Sequence, residues 1–305
     1  MSEICCFFQF FFKIEKIKSS AEILIVSNII IQSIMQTSNE MTNFECVGYF
    51  HQVFGHPKHD NLQTNVLVEN PKLVQLRINL IKEEIGELAK AIKDKDMVEV
   101  IDGLGDILYV VYGAGHAFGI NLDNFFKCVC ASKKVFGNLC GITDKSMAKS
   151  NFELCCEIKE SDKYPDCIST KYFLDHMPDF VQSLFSCIEN EFVRFWRACL
   201  TNNMTEVINS LGELLYTTYS MACCINIDMD LAFKIVHESN MTKTCKSEQE
   251  AMESVEHYKT EPGFETANVK YRPSQAGPFY VMYNADTGKI LKSKYFSKPD
   301  FTVFF

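Results

Sequence analysis

The sequence predicts an all-α protein of two tandem four-helix bundles, which pack as an intrachain pseudo-dimer and are followed by a short β-hairpin-like tail. The composition, 47% hydrophobic and 23% charged with few Gly and Pro in 305 residues, is typical of a globular helical chain. Apolar residues recur at helical spacing between Leu73 and Ile120. A similar amino-acid sequence recurs about 107 residues later. A period that long indicates a duplicated domain instead of a solenoid.

The first 40 residues differ in character from the rest of the chain. Their first apolar run precedes the lysines, which is the wrong order for a secretory signal, and the run from Ile23 to Met35 is short for a membrane span. We expect residues 1–40 to be an extension outside the working fold. An amphipathic membrane anchor, and with it a membrane-associated interaction protein, is the alternative.

Residues 41–147 are predicted to form the first bundle. Its first helix begins after Thr42 and is closed by Gly55 and Pro57, and a polar loop runs on to Asn70. Two consecutive helices come next, joined by a turn near residues 94–96, and a fourth helix spans about residues 122–136. Four helices in about a hundred residues suit a small bundle.

The first of the two consecutive helices carries acids beside apolar side chains. Glu84 and Glu87 fall in an apolar stripe at 100° per residue, so we expect them to lie away from the solvated face. Glu83 is about 100° away from Glu84 and borders the solvent arc. The principal apolar stripe consists of Val74, Ile78, Ile81, Ile85, Leu88 and Ile92.

The second helix is apolar all round except for Glu99, Asp102 and Asp106, which share one stripe at i, i+3 and i+7. If the helices are antiparallel, Glu84 and Glu87 meet Glu99 and Asp102. Four buried carboxylates need a counter-charge, which favours a hard divalent cation, Mg²⁺ before Mn²⁺ or Ca²⁺. The alternative is an acidic helix surface whose spacing arose by chance.

Residues 148–246 are the predicted second bundle, in which the acidic pattern is broken. At an offset of 107, Glu191 and Glu206 replace Glu84 and Glu99, but Arg194 and Asn209 stand at the other two positions. An arginine there would neutralise the remaining acids as a fixed charge. We therefore expect the second copy to have lost its metal site.

The pattern EExxE followed by ExxD resembles the all-α nucleotide pyrophosphohydrolases: MazG, dimeric dUTPase, dCTP pyrophosphatase and phosphoribosyl-ATP pyrophosphohydrolase. The flanking text, LRINLIKEEIGELAKAI and EVIDGLGDILYVVYGAGHAFGIN, is most similar to the last of these branches. The resemblance implies Mg²⁺ held by Glu84, Glu87, Glu99 and Asp102, and hydrolysis of a nucleoside triphosphate to monophosphate and pyrophosphate. One acid would orient or deprotonate the attacking water, and the candidates are Glu83, Glu84 and Asp106.

The segment FKIVHESNMTK in the second copy is similar to the segment that follows the fourth helix in members of this family. This similarity implies a substrate-binding role for His237, Ser239, Asn240 and Lys243; without it, an ordinary helix C-terminus would explain them. If the segment reaches the first copy's acids, the chain has one composite active site.

Residues 247–305 form the tail, with a predicted hairpin turn at 286–289. Lys289 and Lys292 match the family's closing text and would contact phosphates, although an exposed basic hairpin needs no ligand.

The net charge and the cysteines indicate which partners the protein lacks and in which compartment it works. A net charge of −9 without a basic patch argues against nucleic acid and anionic membranes as partners. Fourteen cysteines without a CxxC pair predict buried free thiols in the reducing cytoplasm. The predicted activity is nucleotide-pool housekeeping, with the base preference and a further homodimer left open. The rival from another class is a noncatalytic nucleotide- or metal-binding module that has lost turnover.

Overall fold

The structure, a computed structural model, describes residues 41–136, 150–159, 170–264 and 267–305. The predicted N-terminal extension and its alternative as a membrane anchor lie outside these residues. Within them, no helix combines the length and the apolar character needed to cross a membrane.

The first half of the described chain surrounds one long buried helix, as the sequence predicts. Its elements are α1 (Asn43–Phe54), α2 (Val66–Glu69), α3 (Pro71–Asp94), α4 (Met97–Phe118) and α5 (Leu122–Phe136). The short α2 interrupts the loop that the sequence predicts to be irregular. Most residues of α4 are buried, in agreement with its largely apolar sequence.

Local signals explain where α3 and α4 begin and end. The Asn70 side chain accepts a hydrogen bond from the Leu73 amide and Pro71 opens α3, whereas Lys95 ends it in the left-handed conformation. Asp96 caps α4 by accepting from the amides of residues 98 and 99. Gly119 terminates α4 at φ +71°, where a Cβ atom would lie 1.9 Å from the Asn61 carbonyl oxygen. The turn at 94–96 is thereby confirmed.

The second half repeats a long helical pair. Its helices are α6 (Asn151–Lys159), α7 (Thr170–His176), α8 (Pro178–Leu200), α9 (Met204–Cys224) and α10 (Met229–Met241). α8 packs along α9 as α3 packs along α4. The last helices of the two halves cross over: α10 packs against α4 and α1, whereas α5 packs against α9 and α6. The ends of α10 and of α5 are thereby carried to the opposite half.

A buried hydrogen-bond chain joins the two halves. The hydroxyls of Tyr112 on α4 and Tyr219 on α9 lie 2.8 Å apart, and both side chains are fully buried. Asn151 Nδ2 donates to Tyr112 Oη at 2.8 Å, and Asn43 Nδ2 donates to Tyr219 Oη at 3.1 Å. Each asparagine also donates to an aspartate, Asn151 to Asp123 and Asn43 to Asp230. These contacts satisfy polar groups that would be costly to bury alone.

Most of the described chain is helical, as predicted, and the C-terminal region is more than a hairpin, because it contains a four-stranded antiparallel sheet. Its elements are β1 (Thr244–Cys245), α11 (Glu248–Tyr258), β2 (Val269–Pro273), β3 (Tyr280–Asn284), β4 (Ile290–Leu291) and a final 3₁₀ turn (Thr302–Phe304). β3 is central: β2 pairs along one edge, and β1 and β4 share the other. The predicted hairpin between β3 and β4 is confirmed, but β1 and β2 were too short or too irregular in pattern to predict.

The C-terminal region is built into the helical core instead of hanging from it. Phe301 is buried in the main core, and Val281 of β3 packs with Val53 and Phe54 of α1. Ser293 donates through its amide to the Lys243 carbonyl at 3.1 Å. The strands therefore hold the end of α10 in place.

The cysteines are less uniformly buried than their apolar surroundings predict. Cys130 and Cys199 are buried, but Cys128 and Cys187 are exposed. Local hydrophobicity was a poor guide to burial at these two exposed thiols, because apolar neighbours along the chain can point to a different face of the helix. The ten cysteines among the described residues form no disulfide bond.

Candidate active site

The predicted acids lie along the seam where α3 and α4 run antiparallel. A Cβ atom on Gly103 would lie 3.3 Å from Leu88 Cα, so this glycine lets the two helices approach closely. The contact sets the register, and it brings Glu84 and Glu87 of α3 level with the stretch of α4 that carries Asp102 and Asp106.

The prediction that four acids are buried is only partly correct. Glu84, Asp102 and Asp106 are half-buried, whereas Glu87 and Glu99 are exposed. The apolar stripe of α3 that carries Glu84 and Glu87 is only partly covered, because Leu73 and Ala91 are buried but Leu76 is 46% exposed. Glu83 is exposed as predicted. The acids therefore form a cleft with a half-buried floor and an exposed rim.

Burial and mutual repulsion make the floor acids unusually basic. Burial, with the charges of Glu87 and Glu83, raises the pKa of Glu84 to about 7. Burial, with the charges of Glu99 and Glu87, raises the pKa of Asp102 to about 6. Burial is also the main reason why the pKa of Asp106 lies well above its ordinary value. A nearby cation would be stabilised here.

One cation from the other half of the molecule does reach this cleft. The charge of Lys243, just beyond the end of α10, opposes the raised pKa of each floor acid, Glu84, Asp102 and Asp106. In return these three carboxylates oppose the lowering of the Lys243 pKa by burial. The crossing of α10 onto α4 thus brings the predicted lysine to the predicted acids.

The other members of the HESNMTK segment are placed differently. Asn240 is buried and its Oδ1 accepts from Lys243 Nζ at 2.5 Å, so it orients the lysine. Ser239 is buried and donates to the Ser297 carbonyl at 2.8 Å, which anchors the tail. His237 lies 3.1 Å from Tyr109 Oη through its Nδ1, and burial lowers the pKa of His237 to about 4. Ser239 and His237 make structural contacts in this arrangement.

The tail lysines divide into near and distant ones. Lys292 lies near enough to lower the pKa of Lys243, and its ammonium sits 4.3 Å from the Phe296 ring centroid. Lys289 lies in the exposed β3–β4 turn, and no contact among the described residues links it to the acids. Lys298, which the sequence reasoning missed, acts on Asp102 through its charge. No spacing rule links Lys298 to α4; only the return of the tail along α10 brings it there.

The acid cleft has the donor chemistry of a metal site without the convergent arrangement of one. In the parts of the chain that the structure describes, no group of three or more His, Cys, Asp or Glu side chains is arranged to hold a metal ion. The donor chemistry nevertheless fits a hard divalent cation, because carboxylate oxygens are its preferred ligands and their repulsion is what a cation relieves.

The corresponding place in the second half holds an arginine between two acids. Arg194 donates from Nη1 to Glu191 Oε2 at 2.7 Å and from Nη2 to Glu206 Oε1 at 2.7 Å. A lysine from α5 completes the arrangement, since Lys133 Nζ lies 2.9 Å from Glu213 Oε2. The guanidinium thus occupies the position between carboxylates that the offset of 107 predicts for it.

Comparison with known proteins adds family information to this geometry. Residues 47–133 match the family model of phosphoribosyl-ATP pyrophosphohydrolase, which places α3, α4 and their acids inside the matched segment. The chain is also 38% identical over 265 residues to "Uncharacterized protein L479" of Acanthamoeba polyphaga mimivirus, a match that spans 87% of this chain and 96% of that protein. No solved structure matches the chain.

These findings agree with the resemblance read from EExxE and ExxD. The matched family consists of pyrophosphohydrolases, enzymes that hydrolyse phosphoanhydride bonds. The chain therefore belongs to the MazG-like all-α nucleotide pyrophosphohydrolase superfamily, and residues 47–133 carry its phosphoribosyl-ATP pyrophosphohydrolase domain.

Proposed function

We propose that this protein is a Mg²⁺-dependent nucleoside triphosphate pyrophosphohydrolase that releases monophosphate and pyrophosphate. The observation that carries the proposal is the cleft in which Lys243 faces the half-buried acids Glu84, Asp102 and Asp106. Phosphoryl transfer requires positioned charge more than a protein nucleophile, and this cleft offers carboxylates for a cation and a lysine for phosphate oxygens.

The metal ligands in this proposal are Glu84, Glu87, Glu99 and Asp102. Exposed Glu87 and Glu99 have the rotamer freedom to turn toward the half-buried pair. When bound, Mg²⁺ supplies charge neutralisation on the triphosphate oxygens. Mn²⁺ would suit the same oxygen ligands.

The remaining groups bind and orient the substrate and its water. Lys243, held by Asn240, donates to a phosphate oxygen, and Lys292 and Lys298 add positive charge at the rim. Glu83 is exposed beside Glu84 and accepts a proton from the attacking water, whereas Asp106, whose pKa is raised by burial, orients the groups above it.

We further propose that the chain arose by tandem duplication and that its halves pack as a pseudo-dimer with one composite site. The hydrogen-bond chain supports this, because Tyr112 pairs with Tyr219 and the two aspartates, Asp123 and Asp230, are likewise 107 residues apart. The exchange of α5 and α10 supports it too. In this proposal Arg194 takes the place of a second metal ion, because it pairs with both Glu191 and Glu206.

The test is a panel of ordinary and modified nucleoside triphosphates, incubated with and without Mg²⁺, with the products resolved by chromatography. We expect Mg²⁺-dependent pyrophosphate release that Glu87→Gln abolishes. The matched control is Glu206→Gln in the second half, which we expect to retain turnover. Release of diphosphate and phosphate instead would contradict the assigned bond.

The second candidate function is a nucleotide- or metal-binding module without turnover. The observation in its favour is that Arg194, bonded to Glu191 and Glu206, stands among the acids of the second half, where a metal site would need a carboxylate. The same panel decides between the two, since binding of Mg²⁺ with no product from any triphosphate would leave the binding module.

A further inference from the structure

A buried arginine without a partner lies at the other end of the α3–α4 seam. Arg77 on α3 is only 4% exposed, and its Nε atom has no hydrogen-bond partner. Among the residues that the structure describes, Nε is fully enclosed, whereas the two Nη atoms at the tip of the side chain are not. An enclosed N–H group without a partner and a largely buried positive charge both lose solvation, so a guanidinium kept in this position points to a missing anion.

The packing around Arg77 fixes its position. A Cβ atom on Gly113 would lie 3.0 Å from Arg77 Nη1 and 3.1 Å from His51 Nε2, so this glycine leaves the space that the guanidinium fills. His51 Nδ1 lies 2.7 Å from the Pro57 carbonyl oxygen and must donate to it. Burial, with the charge of Arg77, lowers the pKa of His51 to about 2, so this histidine is neutral and adds no second positive charge beside Arg77.

The surroundings of Arg77 are electropositive, although the chain as a whole carries a net charge of −9. After burial, the charges of Arg77, Arg272 and Lys243 are what lower the pKa of His56. Arg272 is fixed by its own hydrogen bond, from Nη2 to the Phe54 carbonyl at 2.9 Å. Three cations thus converge near His56, and Arg77 is the deepest of them.

We propose that Arg77, with His56, Arg272 and Lys243 around it, forms a second subsite that binds a phosphate group. A guanidinium binds two oxygens of a phosphate at once, and several cations around one anion favour a multiply charged group. Arg77 lies seven residues before Glu84 on α3, about 10 Å along the helix axis. Lys243 borders both places, so one extended phosphate-bearing molecule can occupy the acid cleft and this subsite together.

The inference rests on the proposed function only for the identity of the ligand. The phosphate group comes either from the substrate, as its pyrophosphate end, or from free inorganic phosphate. Both sources share the chemistry that Arg77 recognises, and neither requires the metal to be present. Binding can therefore be measured with the acid cleft inactive.

The experiment is isothermal titration of the full chain in EDTA with inorganic phosphate and, separately, with pyrophosphate. We expect wild type to bind at least one of them, and Arg77→Met to bind it at least about tenfold more weakly. Arg197→Met, an exposed arginine on α8, is the matched control and should bind as wild type. Tighter binding of pyrophosphate assigns the subsite to the substrate, and equal binding assigns it to free phosphate.

Stability provides the second readout. Because Arg77 is unpaired, Arg77→Met should unfold at the same temperature as wild type or higher in anion-free buffer, and should lose the stabilisation that pyrophosphate gives wild type. Should Arg77→Met fail to fold, Arg77→Lys keeps the charge without the fork and should bind with intermediate affinity. Binding by Arg77→Met within twofold of wild type would overturn the subsite, whatever the turnover panel shows.

Discussion

At the scale of single residues, the carboxylates of the acid cleft favour binding of a cation but destabilise the fold when no cation is bound. Glu84, Asp102 and Asp106 each prefer to be protonated in the fold, because burial and neighbouring carboxylates penalise their charged forms. Such strain is typical of a site that awaits a cation. Of these three, Glu84 bears the charges of two neighbours on its own helix, Glu83 and Glu87.

Replacing Glu84 should therefore stabilise the protein in the absence of metal. The folded protein holds the Glu84 proton up to a pKa of about 7, whereas the unfolded chain releases it near 4.5, so this group's contribution to stability falls as pH rises through that window. At pH 8 in EDTA, we expect Glu84→Gln to raise the free energy of unfolding by about 1 to 3 kcal/mol. Urea denaturation at pH 5 and pH 8 measures this.

The gain should be several-fold smaller at pH 5, where Glu84 carries its proton in the fold and only the unfolded chain is ionised. Glu69→Gln, an exposed acid at the end of α2, is the control and should have little effect at either pH. A Glu84→Gln protein that is less stable than wild type at pH 8 in EDTA would contradict the raised pKa of this carboxyl.

At the scale of elements, sequence periodicity predicted the helices well and the exposure of their acids less well. The bounds of α5 and the turn between α3 and α4 follow from caps and apolar spacing. The exposure of Glu87 and Glu99 does not, because a helical wheel shows which side chains share a face but not which faces a neighbour covers. β1 and β2 escaped prediction because each pairs with β3, which lies further along the chain.

The arginine between α8 and α9 gives a prediction at this scale. In Arg194→Glu with Asn209→Asp, the second half regains four acids at the positions of Glu84, Glu87, Glu99 and Asp102. We expect this variant to bind roughly one additional Mg²⁺ per chain by titration calorimetry, and to be less stable than wild type in EDTA. Arg197→Glu, on the same helix, is the control for a charge reversal outside the seam. An unchanged binding stoichiometry would contradict the correspondence between the two seams.

At the scale of the whole molecule, the crossing of α5 and α10 packs the last helix of each half against the other half. A lysine on α5 and a lysine just beyond α10 thereby lie near acids of the opposite half. Lys243 reaches the acids of α3 and α4, and Lys133 reaches Glu213 of α9. The sequence predicted a duplication and contained the family segment, but it left the crossing open, because the order of helices along a chain does not decide which half each one packs against.

The joined tyrosines test this packing. Tyr112→Phe and Tyr219→Phe should each lower the free energy of unfolding by about 1 to 2 kcal/mol, since each leaves a buried donor or acceptor short of a partner. Because the two hydroxyls bond to each other, the double variant should cost less than the sum by about 1 kcal/mol. A double-mutant cycle in urea gives the coupling. Additivity within about 0.3 kcal/mol would contradict a shared bond.

We infer one active site composed from both halves, with Lys243 facing the acids of the first. The most direct test is the steady-state turnover of Lys243→Met, with Lys133→Met as the matched control, on the best triphosphate with Mg²⁺. We predict that kcat/KM falls by about 100-fold in Lys243→Met, as for the loss of one positioned charge at a phosphate, and stays within about twofold in Lys133→Met. Wild-type turnover in Lys243→Met, or equal losses in the two variants, would contradict the composite site.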